Sequence, residues 1–162
     1  MPGPGSLYDE DFVRWSEEQA GAIRAASASG TNLPLDWENL AEEIESLGRS
    51  HRAELASRTR TLIEHLLKLE HSAATFPKRG WSNTVDRTRL EIDDLVKVSP
   101  SLRRELADVV EEVTASASRL AARALDREGE IEAAMRLSSR QPYRIQEVFG
   151  PWFPDDPPRS RS

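Results

Sequence analysis

Cysteine is absent from the 162 residues. That excludes a disulfide framework, a thiolate metal site and a cysteine nucleophile. Aromatic residues are scarce at 6%, and the eight glycines are scattered, so no glycine-rich phosphate loop can be assembled. The patterns G-x-S-x-G and H-E-x-x-H are also missing. No apolar run approaches the ~18 residues of a membrane-spanning helix. Met1–Ser6 carries no Lys or Arg ahead of an apolar stretch, so no secretory signal is expected and the cytoplasm is the expected location. Positive charge is not in excess. There are 22 Lys and Arg against 28 Asp and Glu, a net charge of −6, which argues against wholesale nucleic-acid binding. A basic cluster could be drawn from Arg58, Arg60, Lys78, Arg79, Arg87 and Arg89, but acids are interleaved with it.

What the chain does have is helix. The length fits one domain, and 38% apolar residues suffice for a modest core if they lie on helical stripes. The ten prolines leave the long proline-free stretches 5–33, 35–76, 78–99 and 101–141. Proline costs about 3 kcal/mol inside a helix, so long helices belong in those stretches. They are rich in Ala, Leu, Glu and Arg, and nothing alternates as a strand would. The expected fold is an all-α, single-domain bundle of four main helices with short C-terminal helical turns. Its helical domain covers 9–149, between a flexible N-terminus at 1–8 and a Pro-rich, irregular tail at 150–162.

The first predicted helix runs from an Asp9 cap to about Ala28, with Phe12, Trp15, Gln19, Ala22, Ile23 and Ala26 inward and Gly30 as the stop. The second runs from Trp37 to Ala74, capped by Asp36, with Leu35 and Leu40 in hydrophobic-staple positions. Gly48, followed by Ser50, offers it a place to kink. The third spans about Ser82–Lys97, with Val85, Ile92, Leu95 and Val96 inward. The fourth starts at Pro100 with Ser99 as its cap, carries an apolar stripe from Leu102 through Leu120 to Ala124, and stops near Gly129. Only Val98 and Ser99 separate the third from the fourth, which calls for a tight corner. Short helices near Ile131–Leu137 and Tyr143–Val148 follow, and Trp152–Phe153 could dock the tail onto the body.

Polar residues in the wrong place are the most informative oddity. At about 100° per residue, His51, Arg58 and His65 form one row down the apolar stripe of the second helix, with Glu43 and Glu54 at its edge. Buried polar groups need partners, so Glu43, His51, Arg58 and His65, with Trp81 at the entry to the third helix, form a candidate polar pocket. The Glu-x-x-His spacing of metal sites in helical bundles is not met, so no metal and no cofactor is expected. The bland reading is that His51 and Arg58 snorkel and that His65 is a structural histidine. Because the helix is apolar around its whole circumference there, His65 is expected to be mostly buried. The acidic run Glu42, Glu43 and Glu45 reads as a solvated face.

The string Asn39-Leu40-Ala41-Glu42-Glu43-Ile44-Glu45-Ser46-Leu47-Gly48 resembles the signature of the bacterial family known as domain of unknown function 29. So do Glu64-His65-Leu66-Leu67-Lys68, Ser99-Pro100-Ser101-Leu102-Arg103, the opening Tyr8-x-x-Asp11-Phe12-x-x-Trp15, and Trp81. The resemblance covers roughly Tyr8 to Trp152. It implies an all-helical fold, brings no catalytic residues, and makes Glu43, His65 and Trp81 part of the family's recurring pattern. Leu69-Glu70-His71, where the family has an aromatic after the lysine, and the Ala- and Ser-rich end of the first helix are departures. Together these observations favour a non-enzymatic helical protein-interaction or regulatory module, with a protein partner or homo-oligomer. The alternative is a small-ligand-binding protein or enzyme using Glu43, Arg58 and His65.

Overall fold

A computed structural model describes residues 6–137 and 142–155. Among them every regular element is helical: α1 (Leu7–Glu10), α2 (Phe12–Ala28), α3 (Trp37–His71), α4 (Lys78–Val98), a 3-10 turn (Pro100–Glu105), α5 (Leu106–Arg127), α6 (Ile131–Leu137) and α7 (Ile145–Phe149). The chain forms two compact units. The first holds residues up to Leu55 with Asp93–Glu105; the second holds Ala56–Ile92 with residues from Leu106 onward.

In the first unit the opening helix is divided. Asp9 lies inside α1, and the cap is Asp11, whose extended backbone (φ −157°, ψ 96°) breaks the helix. Its Oδ1 accepts the Arg14 amide at 3.0 Å. The same carboxylate takes the Ser101 amide at 2.7 Å and the Ser101 hydroxyl at 2.9 Å, so one side chain holds the starts of α2 and of the 3-10 turn. The buried face of α2 is Val13, Ser16 and Ala20; Gln19 and Ala22 are exposed. The expected inward face is therefore rotated. The cause is Gly48, which is buried on α3: a Cβ there would stand 2.3 Å from Ser16 Oγ, so the missing side chain lets small residues of α2 come close. Gly48 does not break α3, which continues through it for 35 residues. At its start the Asn39 amide lies 3.4 Å from Asp36 Oδ1, the expected cap, while Leu35 and Leu40 are both exposed. α2 ends at Ala28, just ahead of Gly30 at φ +79°.

In the second unit the apolar circumference of α3 is buried at Leu62, Ile63, Leu66, Leu67 and Leu69. α4 starts a turn earlier than its periodicity suggests, because the Pro77 carbonyl accepts the Trp81 amide and sets the first turn at Lys78. α5 buries Val109, Val110, Val113, Ala117, Ala121 and Leu125, but Leu120 is exposed. Its end is a Schellman turn: Gly129 takes φ +82° and the Glu130 amide returns to the Leu125 carbonyl at 2.8 Å. Arg89 of α4 then straps down the C-terminal segment. Its guanidinium donates to the carbonyls of Glu147, Val148 and Trp152 at 2.7–2.9 Å and lies over the Phe153 ring. The remainder of the tail, 156–162, is outside the described residues.

Candidate functional site

The five residues singled out from sequence are divided between the two units. Glu43 and His51 belong to the first unit, and Arg58, His65 and Trp81 to the second. Glu43 is exposed on α3. His51 stacks on Phe12 (4.7 Å between ring centroids), and its Nδ1 is 3.1 Å from the hydroxyl of Ser99. The Ser99 side chain is thereby drawn to His51, while the turn it precedes is held from Asp11. Arg58 pairs with Glu91. Of the other cluster arginines, Arg60 donates to Ser116 and Arg89 to the C-terminal carbonyls, so both serve the packing of the second unit. The acidic run is not simply solvated: Arg24 lies 2.8 Å from Glu45 and 3.7 Å from Glu42. The hydrogen bond and charge of Arg24 hold the Glu45 carboxyl below its ordinary range.

His65 is partly buried, and its ring turns back onto its own helix. Nδ1 lies 2.8 Å from the Thr61 carbonyl, and a carbonyl can only accept, so Nδ1 carries the proton. Burial lowers the pKa of the ring, and the nearby Lys68 charge adds to that, against the opposing pull of the Thr61 bond. The neutral ring then presents a lone pair on Nε2, and Lys68 Nζ lies 3.4 Å from it.

Lys68 is the residue that sequence reasoning passed over. It is 7% exposed, deep among leucines. Its ammonium lies 3.2 Å from Glu64 one turn back and 5.2 Å from the centre of the Trp81 ring. The signal was there to read: a lysine in a segment apolar on all sides, three and four residues after a histidine and a glutamate.

Lys68 and Trp81 both line a cleft of about 640 Å³ in the second unit. Phe76 and Pro77 line it too, with Ala73 and Ala74 from the same loop and Ala124 and Leu125 from α5. Arg127, Glu128 and Glu130 complete it. Glu130 also fixes the loop, accepting the Ser72 hydroxyl at 2.6 Å and the Ala73 amide at 2.7 Å. The Schellman turn at Gly129 is what brings Glu130 back for this. Among the described residues no three His, Asp or Glu side chains come together as metal ligands, and no helix is long and apolar enough to cross a membrane.

A crystal structure of an alpha-helical protein of unknown function from Rhodospirillum rubrum is similar, with a TM-score of 0.57 over 94% of this chain and 89% of that one. At 24% identity that likeness speaks to the fold. No curated protein matches. The sequence pattern described as Domain of unknown function DUF29 matches residues 7–153, from the first helix to the end of the Arg89 strap, and the chain belongs to that family.

Proposed function

We propose that the protein is a non-enzymatic helical interaction module with a regulatory role, and that it docks a protein partner through the cleft of the second unit. The observation that carries this reading is Phe76, which is 96% exposed and lines the cleft together with Pro77 and Trp81. Covering a phenylalanine removes apolar surface worth roughly 1.5–3 kcal/mol from water, and an exposed aromatic beside a concave apolar wall marks a contact site. Lys78 and Arg79 lie two and three residues beyond it in sequence, so the partner's complement is an apolar segment with acidic character. Glu130, a carboxylate lining the cleft, is already engaged by the Ser72 hydroxyl and the Ala73 amide, which suits binding better than proton transfer. A cysteine-free chain has no need of an oxidising compartment, and we place the module in the bacterial cytoplasm.

The test is a photo-reactive benzoylphenylalanine at position 76, cross-linked in living cells. A single protein partner is expected at that position. The partner, once purified, should bind Phe76→Ser at least tenfold more weakly than wild type. Unchanged affinity, or cross-links only between copies of this chain, would overturn the reading.

A further inference from the structure

The Lys68 ammonium has three N–H groups. Among the described residues it forms an ion pair with Glu64 at 3.2 Å and a hydrogen bond to the His65 ring nitrogen at 3.4 Å, with the Trp81 ring face beside them. The lysine side chain is 9% exposed, whereas that of Glu64 is 20% exposed. The cation is therefore the more deeply desolvated partner, and Glu64 and His65 together leave one of its three N–H groups for a further acceptor. The same side chain lines the cleft.

From this geometry we infer that the cleft recognises an apolar group joined to a carboxylate, the carboxylate accepting from Lys68 while the apolar part lies against Trp81, Pro77 and Leu125. The inference rests on the interaction reading for the choice of cleft and deepens it by naming what the docked segment must present: an apolar side chain at a free C-terminus. A charge-assisted bond is the stronger kind for a buried ammonium. A single carboxylate fits better than a phosphate, because Glu128 and Glu130 also line the cleft and a second negative charge would face them. The size fits as well, since about 640 Å³ lies in the range of clefts that take small ligands or a short peptide end.

N-acetyl-leucyl-phenylalanine and its C-terminal amide are matched probes that differ in the carboxylate. Titrated into the ¹⁵N-labelled full chain, the acid should shift the Trp81 indole N–H and bind at least tenfold more tightly than the amide. Lys68→Met keeps the apolar stem and should bring the acid to the level of the amide. Ala124→Phe fills the cleft without touching a charged group and should block both probes, which keeps the test open if Lys68→Met fails to fold. Equal affinity of acid and amide for wild type, an acid preference that survives in Lys68→Met, or binding indifferent to Ala124→Phe would each overturn the inference. Failure here leaves a Phe76 cross-link standing. An acid preference without any such cross-link overturns the protein-partner reading instead and leaves Lys68 as a site for free apolar carboxylates.

Discussion

Asp11 joins two helix starts through one carboxylate, whereas the side chain of Asp9, the cap expected from sequence, accepts from the exposed Ser6 hydroxyl. Asp11→Ala should cost about 2–3 kcal/mol in urea unfolding, roughly two caps' worth, and Asp9→Ala less than about 0.5 kcal/mol. Thr59 makes the opposite case. It is fully buried, and its hydroxyl has no hydrogen-bond partner among the described residues. Thr59→Val keeps the shape and removes the unpaired group, so stability should rise by about 1 kcal/mol in the same assay. His65 brings a pH dependence. Its folded pKa is lowered, so the unfolded chain binds the proton more readily. Its contribution to stability is full above the unfolded value of about 6.5 and is lost as pH falls through and below it. The difference in unfolding free energy between wild type and His65→Gln, followed from pH 8 to pH 5, should therefore shrink on acidification. A constant difference would show that the ring does not titrate as its burial requires.

At the level of elements, helix interiors follow local rules and helix faces do not. Pro77, Pro100 and Gly129 sit at element boundaries, and the cap at Asp36 is where the sequence indicates, because capping and backbone freedom depend on residues close by in the chain. The buried face of α2 differs from the one that the large, apolar Phe12 and Trp15 suggest, because they join Tyr8 and His51 in a partly exposed aromatic cluster. The closest packing goes to Ser16 instead, and Gly48 decides it. Gly48→Ala ought to gain about 1 kcal/mol of helix propensity. In this protein it should lose about 1 kcal/mol or more, because Ser16 Oγ must leave its bond to the Val13 carbonyl. Ser16→Ala should turn that loss into the expected gain, a coupling that a double-mutant cycle measures directly.

At the scale of the whole molecule, Arg89 does for the C-terminal segment what no local signal could. One guanidinium satisfies three carbonyls of residues 147–152 and covers the Phe153 ring. Replacing it with Met should leave the α4 helix intact while the Val148 and Gly150 amides exchange with solvent about tenfold faster or more, since bonds to a charged donor are lost. Unchanged exchange would mean that Tyr143 and Val148, both buried, hold the segment without it. Much of the architecture was legible beforehand. Helical periodicity, proline placement and capping residues act over a few residues, so an all-helical chain, most of its helix boundaries and its family can be read from the order of the amino acids. The candidate site was barely legible. Helical spacing aligned His51, Arg58 and His65 in one row, but each meets a different partner, supplied by Ser99, Glu91 and Thr61 respectively. That Lys68 lies in a cleft beside Trp81, and that Gly129 returns Glu130 to fix the loop bearing Phe76, comes from long-range packing. Trp81 is 13 residues from Lys68 and Glu130 is 58 from Ser72, and burial, unlike periodicity, is set by whatever packs from elsewhere in the chain.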